Sequence, residues 1–165
     1  MLLATVSNAD NGPNSNSASA YLALGSLAFS AEDTPDSIMW YARLLSEFPR
    51  SPLSAYAHFN LGVVHRSVGN IDAGRAAMYN FVDGSLGHVL TPLAYLIIGR
   101  MHLDEGDPDG AITPLRRAVS LAAGKDTPLL RFSLGNAYLQ VGDHIRAITH
   151  LTEALAKDQS YSAAW

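Results

Sequence analysis

Residues 130–155 read LRFSLGNAYLQVGDHIRAITHLTEAL, and this stretch decides the fold. Leu134, Tyr138 and Val141 recur at the three- to four-residue spacing of one helix face. After a glycine at position 142, the same spacing resumes with Ile145, Ile148, Leu151 and Leu155. The stretch therefore predicts two amphipathic helices joined by a glycine turn.

The same arrangement occurs four times along the chain. A Leu-Gly or Ile-Gly pair marks each copy, at Leu24-Gly25, Leu61-Gly62, Ile98-Gly99 and Leu134-Gly135. The four glycines lie 37, 37 and 36 residues apart, and a second glycine follows seven residues later in the last three copies, at Gly69, Gly106 and Gly142. A fixed period of this length is typical of helical-repeat architectures.

Proline positions support the same helix boundaries. Five of the eight prolines follow a residue that can cap a helix, at Thr34-Pro35, Ser51-Pro52, Thr91-Pro92, Asp107-Pro108 and Thr127-Pro128. Proline fits the first helical turn because its missing N–H would have no partner there, and Thr, Ser and Asp can cap free amides. The predicted helix pairs are 17–31 with 34–47, 52–68 with 71–83, 91–105 with 107–123, and 127–141 with 143–157.

Composition restricts the class of protein. The chain has 165 residues, of which 48% are hydrophobic and 16% charged, as in a folded globular protein. A net charge of −4 without clusters of Lys or Arg argues against nucleic-acid binding. The chain has no cysteine, which excludes disulfides, thiol catalysis and cysteine-ligated zinc.

The ends of the chain and its location can be described only in outline. Residues 7–19 are rich in Asn, Ser, Gly and Pro, and we interpret residues 1–16 as a flexible tail. No apolar run reaches the roughly 18 residues of a membrane span, so a soluble protein is expected. The compartment is unknown: it is cytoplasmic by default, or envelope or periplasmic if a targeting signal precedes the sequence given.

These landmarks resemble the tetratricopeptide repeat (TPR) family, in particular its bacterial members. The family pattern is W-x2-L-G-x2-Y followed by A-x3-F, A and P. The fourth copy matches best, at Leu134, Gly135, Tyr138, Ala147, Leu151 and Ala154, whereas the first copy lacks the turn glycine. Sel1-like repeats, which have a similar period, are the alternative family.

The resemblance implies an all-α fold, a right-handed α-solenoid of antiparallel helix pairs. The expected repeat domain spans 17–165, with units at about 17–51, 52–90, 91–126 and 127–160. Tyr161 to Trp165 resembles the opening of a fifth unit, so the last helix is expected to need a covering element. That element would be a further repeat or a second chain.

No combination of residues indicates catalysis or a bound metal. Phosphate-loop, dinucleotide and nucleophile-elbow motifs are absent from the sequence, so we expect neither an enzyme nor a cofactor. His58, His65 and His102 occupy positions where the family has bulky aromatics. We interpret them as packing residues rather than zinc ligands, because no HExxH motif or cysteine partner accompanies them.

One face of the first helices is the candidate binding surface. At about 100° per residue, Leu93, Leu96, Arg100 and Leu103 share a face that differs from the packing face of Gly99. In the family this face lines a concave groove. The corresponding residues, chosen as the peptide-binding groove, are Tyr56, Phe59, Val63, Arg66, Leu96, Arg100, Leu103, Phe132, Asn136 and Leu139. The alternative, which stays open, is that they pack against neighbouring helices or against the tail.

The resemblance therefore implies a non-catalytic scaffold that binds a protein or peptide through the groove. Chaperone-binding family members hold a terminal carboxylate with Lys and Asn, but Phe59, Leu96 and Phe132 stand at the lysine position here. A ligand with apolar anchors and one acidic residue is expected instead. The alternative function is a repeat segment of a longer enzyme or envelope-assembly factor whose activity lies outside this chain. Residues 47–52 resemble junctions in bacterial envelope-assembly TPR proteins.

Overall fold

The computed structural model describes residues 13–125 and 127–162, and in these residues it has helices and turns without strands. The helices pair in chain order, first with second, in four units. They are α1 (Pro13–Ser30), α2 (Thr34–Glu47), α3 (Leu53–Ser67), α4 (Ile71–Gly84), α5 (Thr91–Asp104), α6 (Pro108–Ala122), α7 (Pro128–Gln140) and α8 (His144–Ser162). The predicted all-α repeat fold is confirmed.

The ends of the repeat region differ from the prediction. Helix α1 begins at Pro13, four residues before the predicted start, because proline suits a first helical turn even within a segment rich in Asn and Ser. Helix α8 continues through Tyr161 and Ser162, where the sequence predicted the opening of a fifth unit. Residues 1–12 of the predicted tail and residues 163–165 lie outside the described residues.

The turn within each unit requires a left-handed backbone. Gly69, Gly106 and Gly142 have φ of 76°, 75° and 80°, a region that glycine enters without steric cost. Unit one uses Glu32 at the equivalent position, with φ of 62°. Unit one therefore keeps the same turn, although Glu32 stands where the other units have glycine.

The capping residues that the sequence predicts are observed at some helix starts but not at others. Asp107 and Thr127 accept hydrogen bonds from Gly110 N and Leu130 N, as their positions before proline predict. Thr34 and Thr91 do not cap: Asp33 caps α2, and Thr91 is buried and donates to the Ser85 carbonyl. Ser51 lies one residue before the cap position of α3 and accepts a hydrogen bond from Leu53 N. A helix can therefore begin at a residue other than the one before proline. Asp33 caps α2 from two residues before Pro35, whereas the cap positions of α3 and α5, Pro52 and Leu90, make no side-chain hydrogen bond.

The units stack so that their first helices converge. The second helix of each unit packs on the first helix of the next, α2 on α3, α4 on α5 and α6 on α7. First helices of neighbouring units also touch, α1 with α3 and α5 with α7, whereas within the described residues second helices make no comparable contact with each other. The surface of the first helices is therefore the inner side of the curve.

Within the described residues, three apolar clusters form the core, and each spans a junction between units. One includes Tyr41 and Leu44 of α2 with Ala57 and Leu61 of α3. The others join α4 to α5 and α6 to α7 in the same way. No described helix combines the length and the apolar character that crossing a membrane requires.

Candidate functional site

The inner side of the stack is the candidate site, because the first helices of neighbouring units meet there. All ten residues predicted for the groove lie on α3, α5 or α7. Equivalent residues fall in four rows across the units. The rows are Tyr56, Leu93 and Leu129; Phe59, Leu96 and Phe132; Val63, Arg100 and Asn136; and Arg66, Leu103 and Leu139.

The row of Phe59, Leu96 and Phe132 does not line a continuous groove. Phe59 and Leu96 are only 6% exposed, and Phe59 packs edge-on against Phe81 at 5.4 Å. Both belong to clusters that include residues of the following unit, so the next first helix covers them. Phe132 is 54% exposed because no following unit covers it within the described residues. This row therefore belongs to the junction between units rather than to a ligand surface.

Arg66 already has an acidic partner inside the chain. Its Nη2 donates to Asp104 Oδ2 at 2.7 Å, which joins α3 to α5. The pair lies in a cleft of about 350 Å³ between these helices, which is lined by Val63, Arg66, Ser67, Ile97 and Asp104. Ser67, Ile97 and Asp104 were not among the predicted site residues, because no sequence period indicates that the cleft lies at this junction.

Arg100 is the cation that remains available on the inner side. It is half-buried, and its side chain forms no ion pair or hydrogen bond with the residues that the structure describes. Ile97 and Asp104, three residues before and four residues after it on α5, line the cleft. Arg100 therefore stands beside the cleft, and its guanidinium has no acceptor among the described residues.

Exposed leucines extend this surface along the row that begins at Tyr56. Leu93 and Leu129 are both exposed, although neither was among the ten predicted residues. Tyr56 is half-buried and packs edge-on against His88 at 5.1 Å. Because these leucines share the helix face of Arg100, the available surface combines a cation with apolar contacts.

The remaining predicted residues are partly available. Val63 and Leu103 are half-buried and pack against the core clusters, and Asn136 is also half-buried. Leu139 is exposed at the last unit. The structure thus places Val63 and Arg66 in the α3–α5 cleft with Arg100 beside it. Leu103 instead packs against the cluster that joins α6 to α7, and Phe132 and Leu139 are exposed at the end of the stack.

The histidines form no metal site in the described part of the chain, where no three His, Asp or Glu side chains cluster as ligands. His102 Nδ1 lies 2.9 Å from Asp107 Oδ2, and the same carboxylate caps α6. These contacts with Gly110 N and His102 lower the pKa of Asp107. Burial lowers the pKa of both His58 and His65. The neutral imidazole is therefore the favoured form at both positions.

Comparison with known proteins agrees with the repeat architecture. The chain resembles solved structures of MamA: one has a TM-score of 0.77 at 21% identity, with 91% of this chain and 83% of that chain covered. A MamA chain from Desulfovibrio magneticus gives a TM-score of 0.74 at 16% identity, over 89% and 78% of the two chains. A chain of the Cut9–Hcn1 hetero-tetramer of APC/C gives 0.68 at 21%, over 86% of this chain and 26% of that one. These similarities describe the fold.

Sequence comparison identifies the family. A TPR repeat-containing protein of Pseudomonas aeruginosa is 51% identical over 45 residues, which are 27% of this chain and 43% of that protein. The chain thus matches less than half of that relative. The model of the tetratricopeptide repeat matches residues 22–83 and 59–126, which together exceed half of the chain. The chain therefore belongs to the tetratricopeptide repeat family, whose fold is in general a non-catalytic scaffold for protein interactions.

Proposed function

We propose that the chain is a non-catalytic scaffold that binds a partner peptide or protein on its inner side, at the α3–α5 cleft and along α5 and α7. The observation that carries this proposal is Arg100, a half-buried cation without a partner among the described residues, on the same helix face as an exposed leucine. Arginine is frequently an energetic anchor of protein interfaces.

The ligand is a segment with apolar side chains and one carboxylate. Leu93 and Leu129 are exposed on this side and supply apolar contacts, and Tyr56 contributes part of its ring. The planar guanidinium of Arg100 offers two parallel donors that match a carboxylate. Asn136, the equivalent residue in the next unit, can donate to or accept from a peptide backbone.

The carboxylate is expected at Arg100 rather than at Arg66. Asp104 already neutralises Arg66 at 2.7 Å, so a ligand carboxylate there would face a nearby negative charge. Phe59 and Leu96 contribute almost no surface to the ligand, because they are core residues. Their substitution would test folding rather than binding.

The test begins with peptides selected from a random library against the wild-type chain. Affinities of the selected peptides are then measured for Arg100→Ala and, as a matched control, for Arg117→Ala, which removes an exposed arginine from the second helix α6. Loss of hydrogen bonds to a charged group costs about 1.5–3 kcal/mol, or roughly 10- to 100-fold in Kd. We expect this loss for Arg100→Ala, together with a weaker salt dependence.

Two results would argue against the proposal. If Arg100→Ala binds the peptides with the same affinity as the wild type, Arg100 is not part of the binding site. A larger loss for Arg117→Ala would place the ligand on the outer side of the stack. Circular dichroism of each variant establishes that the change in affinity does not arise from unfolding.

A further inference from the structure

The two ends of the stack expose the two halves of a junction that the chain builds three times internally. At each internal junction, residues of a second helix pack with residues of the following first helix. In one case Phe81 and Val82 of α4 form a cluster with Ala94 and Ile98 of α5. At the two ends of the stack, the residues equivalent to these are exposed, because no described residue covers them.

Helix α1 presents the half of the junction that faces a preceding unit. In units two to four, three positions contact that unit and are at most 8% exposed: Ala57, Leu61 and Val64; Ala94, Ile98 and Met101; and Leu130, Leu134 and Ala137. The equivalents in unit one are Ala20, Leu24 and Leu27, which we call the N-terminal face. All three are exposed, Leu24 by 38% and Leu27 by 66%.

Helix α1 also lacks the charged side chains of a solvent-facing terminal helix. Its 18 residues include no Asp, Glu, Lys or Arg. Terminal repeats of solenoids need a polar outer face to remain in solution. An uncharged terminal helix that exposes Leu24 and Leu27 is therefore expected to be covered.

The last unit presents the complementary half. Leu155 is 63% exposed, whereas its equivalent Val82 is 1% exposed and its equivalents Leu45 and Val119 pack against core clusters. Ile148 is 64% exposed, whereas its equivalents Ile38 and Ile112 are partly buried. Phe132, on the row of Phe59 and Leu96, completes this C-terminal face of Phe132, Ile148 and Leu155.

We propose that the C-terminal face of one copy binds the N-terminal face of a second copy, so that the chain assembles head to tail. The contact continues the internal junction: α8 of one copy packs on α1 of the next as α6 packs on α7. Such a contact joins two different surfaces, and it produces open chains unless its rotation closes a ring. The inner side of each copy stays accessible along the assembly.

The test uses two variants that each block one end. Leu27→Glu places a charge on the N-terminal face, and Leu155→Glu places one on the C-terminal face, at positions already more than 60% exposed. Sedimentation velocity is measured over a range of concentrations. The wild type is expected to associate with rising concentration, each variant alone to stay monomeric, and an equimolar mixture of the two to form dimers without larger species. The mixture forms dimers because each variant keeps the end that the other lacks.

Val89→Glu is the matched control, because Val89 is 85% exposed in the loop between α4 and α5, away from both faces. It is expected to associate as the wild type does. A wild type that is monomeric at every concentration would overturn the proposal, as would association of Leu27→Glu alone, which indicates an α8–α8 contact. A wild type that associates only after deletion of residues 1–12 would assign the N-terminal face to that segment and also overturn the proposal.

Discussion

Gly99 of α5 and Leu115 of α6 lie so close that a Cβ built on Gly99 would stand 2.4 Å from Leu115 Cγ. The two residues are sixteen positions apart, and the same separation joins the contacting pair in every other unit. These pairs are Gly25 with Tyr41, Gly62 with Met78, and Gly135 with Leu151. The sixteen-residue separation within each unit therefore marks the close approach of its two helices.

Gly99→Ala is expected to lower the stability of the fold. Leu115 is fully buried, so it cannot move away from an added methyl group, and overpacking of this kind typically costs about 1–3 kcal/mol. The better helix propensity of alanine offsets up to about 1 kcal/mol of that cost. The measurement is urea denaturation. Gly87→Ala is the control, because a Cβ there meets no atom within 4 Å, and an equal midpoint for the two variants would contradict the close packing.

Glu32→Gly is expected to raise the midpoint of thermal unfolding. Glu32 has φ of 62°, where a side chain costs about 1–2 kcal/mol, and the added freedom of the unfolded chain offsets about 0.4–1 kcal/mol. The reciprocal change, Gly106→Ala at φ of 75°, should lower the midpoint. Calorimetry of both variants measures whether the two midpoints shift in opposite directions. Shifts in the same direction would be incompatible with backbone strain at this turn.

Leu134→Ala is expected to cost about 2–5 kcal/mol, because Leu134 is 1% exposed within the cluster that joins α6 to α7. Leu86→Ala makes the same chemical change on an exposed loop residue and should stay within about 0.5 kcal/mol of the wild type. Chemical denaturation followed by circular dichroism measures both. Similar losses for the two variants would show that burial at Leu134 contributes little.

Stability is expected to fall as the pH drops below about 6.5, the ordinary pKa of histidine. Burial lowers the pKa of His58 and His65 in the folded chain, so the unfolded chain binds protons first and is favoured as the pH falls. Hydrogen bonds lower the pKa values of Glu47 and Asp107, so protonation of these carboxyls changes the stability only at more acidic pH. Urea denaturation at several pH values between about 7.5 and 5 isolates the histidine effect. The double variant His58→Gln and His65→Gln should show a flatter profile, and an unchanged slope would assign the effect to other groups.

Adding a chelator is expected to leave the thermal midpoint unchanged, because we expect no bound metal. Removal of a bound metal would lower the midpoint, since a ligand stabilises the fold that binds it. His102 is engaged with Asp107, and no group of three ligand side chains occurs among the described residues. The measurement compares unfolding with and without chelator and determines zinc by elemental analysis. Stoichiometric zinc with a lower midpoint after chelation would contradict this expectation.

The sequence alone determined the helices, their order and the pairing within each unit. The prediction of 34–47 for the second helix matches Thr34–Glu47, because the apolar period, the turn and the polar start are local features. The spacing of Gly99 and Leu115 could likewise be predicted, since it repeats in four units. The capping residues were less predictable: Asp33 rather than Thr34 caps α2, since the cap depends on the path by which the chain enters the helix.

Only the tertiary structure decided which residues of the first helices are available to a ligand. Phe59 and Phe132 occupy equivalent positions in their units, yet the following unit buries Phe59, whereas no described unit follows Phe132 and its side chain is exposed. Arg66 and Arg100 looked alike in the sequence, but Asp104, 38 residues from Arg66, pairs with Arg66. The helical period determines which side chains share a face. Burial and ion pairing depend on residues distant in sequence, which only the stacking of units brings into contact.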